Sequence, residues 1–121
     1  MTYIAEYFKD QEFACKCCGK TAPNKGNQYY RLLEVLDTIR EHFSLPVYIN
    51  SGYRCPKHNA AVGGVPNSQH VQGTAADIRI KGIAIEAVQD YIRGAFPDVS
   101  IGCYKTFTHI DTRNGRREWR G

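Results

Sequence analysis

No stretch of this 121-residue chain is apolar for long enough to cross a bilayer, and none is repeated or of low complexity. A helical membrane protein, a solenoid and a disordered linker are thereby excluded, and no transmembrane segment is expected. The first thirteen residues, MTYIAEYFKDQEF, lack the apolar core of a signal peptide, because Glu6, Lys9, Asp10 and Glu12 interrupt them. The expectation is cytoplasmic synthesis with release by another route, or a domain of a longer exported protein. No basic groove interleaved with aromatics and no nucleic-acid motif is present, so nucleic acid is not an expected partner. Nothing in the sequence points to an obligate protein partner.

Cysteine is scarce and odd in number: five in all, so a full set of intrachain disulfides is impossible. Cys15, Cys17 and Cys18 cluster as CKCC, while Cys55 and Cys103 stand alone. A structural zinc takes four ligands, normally from two such knuckles, and no second knuckle exists in the sequence. Ordinary buried or loop thiols are the reading here, with a metal as the alternative.

What is present is an ordinary globular composition, 42% hydrophobic and 23% charged, sized for one domain over residues 1–121. The net charge of +4 is unevenly spread. Arg113, Arg116, Arg117 and Arg120 crowd the end, reading as a solvated basic tail able to steer toward a polyanion. Residues 1–26 form an irregular entry, with turn chemistry at Pro23-Asn24-Lys25-Gly26. Asn27 caps a helix expected from Gln28 to Phe43, whose Tyr29, Leu32, Leu33, Leu36, Ile39 and Phe43 recur at helical steps.

Strands are expected at Val47–Asn50, Ala75–Ile80, Val99–Tyr104 and Phe107–Thr112. Asn114-Gly115 reads as a hairpin turn into a last strand around Trp119. Pro56–Val62 suits one or two helical turns, and Ile83–Phe96 a second amphipathic helix. The order argues α+β, with two main helices and a small, mostly antiparallel sheet.

The densest polar stretch runs from Ser51 to Asp77, SGYRCPKHNAAVGGVPNSQHVQGTAAD, with an Arg, two His and four Gly. A second island, Phe107-Thr108-His109-Ile110-Asp111, answers it. Catalytic zinc needs three protein ligands and an open position, and His70, Asp77 and His109 meet that count. Gly73 lets the chain turn after His70, so that Asp77 returns from a strand. Strand alternation puts His109 and Asp111 on one face, and Asp77 meets His109 if the two strands are neighbours.

Ser68-Gln69-His70-Val71-Gln72-Gly73-Thr74-Ala75-Ala76-Asp77 resembles the S-x-H-x-x-G-x-A-x-D signature of the zinc D-alanyl-D-alanine carboxypeptidase family. That family includes L-alanyl-D-glutamate endopeptidases of phage and bacteria, and shares its metal geometry with hedgehog signalling domains. Ser51-Gly52-Tyr53-Arg54, Asn59, Gly63-Gly64 and His109-Ile110-Asp111 resemble the accompanying blocks of a subgroup with a His-(Ile/Val)-Asp ending. The resemblance spans about Phe13 to Trp119.

It implies one zinc ion on His70, Asp77 and His109, polarising a scissile carbonyl and acidifying water. Arg54 would bind substrate through its guanidinium fork, assisted by Ser68. The implied substrate is a stem peptide of bacterial peptidoglycan, cut by a D,D-carboxypeptidase or endopeptidase, in an endolysin-like role at the cell wall. Members of the family place a general base three residues before the last His ligand, or a His two before it. Those positions hold Thr106 and Phe107. Asp111 is then the candidate base, or a partner that orients a ligand. Asp98 and Glu118 have no positional argument. Without a base, the alternative is a non-catalytic, zinc-stabilised binding module of the same fold. Cys55 and Cys103 flank the two active blocks, which leaves a disulfide between them open. Trp119 and Tyr104 are candidates for walls of the groove or for core packing.

Overall fold

The computed structural model describes residues 3–23 and 25–121, so Asn24 of the expected Pro23–Gly26 turn, with Met1 and Thr2, lies outside the described residues. Helix α1 runs Asn27–Phe43. Gly26 rather than Asn27 occupies its N-cap, and the helix stops at Ser44, in the left-handed region at φ 55 with its N–H on the Arg40 carbonyl. Pro46 follows, and the helix cannot resume. The buried face of α1 is the periodic one: Leu32, Leu33, Leu36 and Ile39 are at most 3% exposed. They join Ala76, Ile78, Val88, Ile92 and Ile110 in one core.

The remaining elements are β1 (Tyr48–Ser51), α2 (Pro56–Ala61), β2 (Ala75–Arg79), α3 (Ile85–Ala95), β3 (Ser100–Cys103), β4 (Thr108–Asp111) and β5 (Glu118–Arg120). A 3-10 turn at Asp10–Phe13 interrupts the irregular entry. Pro56 opens α2 at its first position, where a missing N–H costs nothing.

Five strands make one sheet in the order β1-β2-β4-β3-β5, antiparallel except at the last pair. The fold is α+β, as the element order implied. The last strand departs from expectation: β5 does not fold back on β4 as a hairpin but runs parallel to β3. The reason is occupancy. Both edges of β4 are already taken, by β2 and β3, so the last strand pairs instead with the open edge of β3.

Two further features hold the frame. Asp37, buried on α1, accepts hydrogen bonds from the Tyr3 hydroxyl and from the backbone N–H groups of Glu6 and Tyr7, anchoring the entry segment to the helix. Phe13 accepts from the Tyr53 N–H at 2.8 Å, and a Cβ on Gly52 would stand 2.7 Å from the Phe13 backbone. The entry segment and the SGYR block therefore lie in direct contact, which only a glycine permits. Among the described residues no helix is long and apolar enough to cross a membrane.

Candidate metal centre

β2 and β4 are neighbours in register, and Asp77 stands opposite His109. Period-two alternation sends Ala76 and Ile78 into the core and leaves Asp77 on the other face. His70 arrives from a loop of tight turns. The Gly73 N–H bonds the His70 carbonyl, and Gly73 itself sits at φ 76 with only 2.4 Å between a notional Cβ and the Ala22 methyl. Ser68 accepts from the His70 N–H at 3.1 Å, and the His70 carbonyl takes the Arg54 N–H. Three distant segments are thus fixed around one point.

The ring contacts define what that point holds. His70 Nδ1 lies 2.7 Å from the Gly52 carbonyl, which can only accept, so Nδ1 carries the hydrogen. Its Nε2 then presents a lone pair 3.1 Å from Asp77 Oδ1. His109 repeats the arrangement with its nitrogens exchanged. Nε2 donates to Asp111 Oδ2 at 2.8 Å, and Nδ1 faces Asp77 Oδ1 at 2.9 Å. With both rings neutral, two lone pairs would meet one carboxylate oxygen and repel it, so the arrangement calls for a cation between them, a proton on a ring or a metal ion. The ligand atoms of His70, Asp77 and His109 all lie within 4.8 Å of one another. A tetrahedral ion with bonds of about 2.0–2.1 Å spaces its ligands by roughly 3.3 Å, so a small outward shift admits it. The donor set fits zinc.

Charge balance follows the same geometry. Burial pushes the Asp77 carboxyl up, but hydrogen bonds from His109 and His70 outweigh it and hold the group well below its ordinary range. Burial likewise opposes charge on His109, and the Asp111 and Asp77 carboxylates raise it instead. Asp111 is fully buried, yet the Arg113 guanidinium and the His109 ring keep it ionised. Arg113 grips Asp111 with two parallel bonds, Nε to Oδ1 at 2.8 Å and Nη2 to Oδ2 at 2.7 Å, and adds its backbone N–H at 3.2 Å.

Above the three residues opens a cleft of about 420 Å³, walled in part by Arg54, Ser68, Tyr104, Phe107, Arg113 and Trp119. Arg54 reaches Asp77 Oδ2 at 3.4 Å, and its other nitrogens bond Ser51 Oγ and Asn59 Oδ1. Asn59 is itself locked by the Val65 carbonyl. Trp119 donates to the Tyr104 hydroxyl at 3.0 Å, and Tyr104 stacks on Phe107 with ring centroids 4.4 Å apart.

The predicted set is brought together at His70, Asp77 and His109, with Arg54 and Ser68 beside them. Asp111 stands behind His109 and is not part of the cleft lining. Sequence reading missed Arg113, taken as one of a solvated tail, and the wall formed by Phe107. No spacing rule links Arg113 to the site, because its partner Asp111 lies on a strand that ends just before it. Cys55 and Cys103 do not pair: Cys55 lies beside Cys15, and Cys103 packs against Arg93.

A family model described as Peptidase M15 matches residues 6–111, most of the chain and all three candidate ligands. No curated protein matches the chain.

Proposed function

This chain belongs to the Peptidase M15 family of zinc metallopeptidases, and from that premise we propose that it hydrolyses a peptide bond in the stem peptides of bacterial peptidoglycan, as a D,D-carboxypeptidase or an endopeptidase in an endolysin-like setting at the cell wall. The observation that carries the reading is the pair of imidazole lone pairs converging on Asp77 at the floor of an open cleft. His70, Asp77 and His109 would hold the zinc, which would supply a Lewis acid there, able to polarise a carbonyl and acidify water.

The chain's own groups do the rest. Arg54, next to the centre and only part-buried, offers a planar fork to a substrate carboxylate or carbonyl oxygen. Ser68 holds the His70 backbone and faces the same cleft. Tyr104, Phe107 and Trp119 exclude water along one wall. Asp111 fixes His109 in the tautomer that leaves Nδ1 free, which makes it a positioning residue.

One observation favours a second reading, a zinc-stabilised binding module without catalysis. Among the described residues, no carboxylate but Asp77 lines the cleft, and Asp111 has every oxygen engaged. Incubation with purified peptidoglycan, with and without chelator, separates the two. Hydrolysis abolished by chelator and restored by zinc supports the peptidase, and fragment masses identify the bond. Binding to peptidoglycan without any released fragment favours the module.

A further inference from the structure

The fold repairs what the sequence lacks, a second knuckle for the CKCC cluster. The Cys15, Cys18 and Cys55 sulfurs all lie within 4.8 Å of one another, although Cys55 follows Cys15 by 40 residues. Cys17 lies exposed in the same short loop, outside the group of three sulfurs that meet that distance. We propose that Cys15, Cys18 and Cys55 form the core of a second, structural zinc site, separate from the histidine centre, with a fourth position that Cys17 of the same loop can fill.

The backbone is shaped for it. Residues 15–20 close a tight loop in which the Cys15 N–H bonds the Lys20 carbonyl and the Gly19 N–H bonds the Cys15 carbonyl. Gly19 turns the loop at φ 71, a conformation other residues adopt at a cost. On the opposite side Cys55 caps α2, its sulfur accepting the His58 N–H at 3.4 Å, while its own N–H points at Cys15 Sγ at 3.4 Å. N–H groups aimed at sulfur stabilise thiolate, the form that binds metal.

Size and chemistry then select the ion. A tetrahedral zinc with Zn–S bonds of about 2.3 Å spaces its sulfurs by roughly 3.8 Å, which the 4.8 Å bound on the Cys15, Cys18 and Cys55 sulfurs accommodates. A disulfide would satisfy only two of the three clustered sulfurs and leave the third crowded beside it; one metal uses all three. The consequence is a cross-link between the entry segment and the residue next to Arg54. The Tyr53 N–H to Phe13 carbonyl bond and the Gly52 contact already join those segments, and the metal would lock the joint.

The proposal does not depend on peptidase activity, and its test is independent of it. Protein purified under reducing conditions is assayed for metal, then loaded with cobalt for absorption spectroscopy. Two zinc ions per chain are expected, with sulfur-to-cobalt charge transfer in the loaded protein. H70A/H109A should lose one ion and keep the charge-transfer band; C15S/C18S should lose the band and one ion. If C15S/C18S fails to fold, zinc-edge absorption of the wild type decides, with sulfur scatterers at about 2.3 Å expected. A folded H70A/H109A that binds no metal overturns the proposal. So does a wild-type zinc edge with nitrogen and oxygen neighbours alone, or a native mass that reveals a disulfide among these cysteines.

Discussion

Asp111 is the residue whose surroundings say most about its work. It is fully buried, and Arg113 and His109 hold both oxygens. Asp111→Asn keeps the shape but removes the charge that holds the His109 tautomer. The expected result is zinc affinity at the histidine centre weakened about 10–100-fold, with activity recovering at added zinc. A zinc titration of the variant's activity measures this. Loss of kcat by about 10²–10⁴-fold at saturating zinc would instead make Asp111 the general base. Arg54 makes a complementary case. Arg54→Lys keeps the charge but loses the fork, so kcat/KM should fall about tenfold or more, about 1.4 kcal/mol, with zinc content unchanged. Steady-state kinetics beside metal analysis checks both halves, and wild-type kinetics would make Arg54 structural.

At the scale of elements, β5 does more for the site than its three residues suggest. Its parallel seat on β3 places Trp119 over Gly102, where an added Cβ would stand 2.7 Å from the indole ring. Gly102→Ala therefore pushes the indole outward and opens the wall it forms with Tyr104. We expect a stability loss of about 1–3 kcal/mol, a raised KM and unchanged zinc. Trp119 is the only tryptophan in the chain, so a red-shifted emission reports the displacement directly. An unshifted spectrum would mean that the strand absorbs the methyl without moving the wall. Arg93 and Arg116 clamp Glu118 on the same strand, but these are exposed pairs that contribute little.

For the whole molecule, the histidine centre couples stability to pH once metal is stripped. Asp77 and Asp111 are held below their ordinary value of 3.8, so the unfolded chain binds protons the folded one refuses. Their contribution is present above about pH 4 and lost as pH falls. His109 is raised above 6.5, so its contribution is present below that value and lost as pH rises through the folded one. Chelator-treated protein should therefore be most stable between about pH 4 and 6.5. Zinc needs deprotonated imidazole, so the loaded protein should gain most at and above neutral pH. Denaturant titrations across pH, with and without zinc, check the shift; a metal-free optimum above pH 7 would contradict it.

The sequence by itself determined what depends on neighbours along the chain. The buried stripe of α1 follows from helical spacing, Pro56 starts α2, and alternation in β2 and β4 splits Ala76, Ile78 and Ile110 from Asp77 and His109. The three candidate ligands were legible for the same reason, since their spacing and turn residues are local signals. What the tertiary structure alone decided are meetings between residues with no spacing rule to join them. Whether Asp77 faces His109 depended on β2 and β4 being neighbours. The parallel placing of β5 came from an edge left open elsewhere in the sheet, which no turn signal at Asn114-Gly115 encodes. Arg113 looked like one of four solvated cations until the end of β4 set it on a buried carboxylate. Cys55 had only Cys103 as a candidate partner in sequence and found Cys15 instead, because Gly52 lets the SGYR block lie against Phe13. Periodicity is written in the order of residues, whereas proximity between segments is settled only when the core closes and fixes which edges and faces remain.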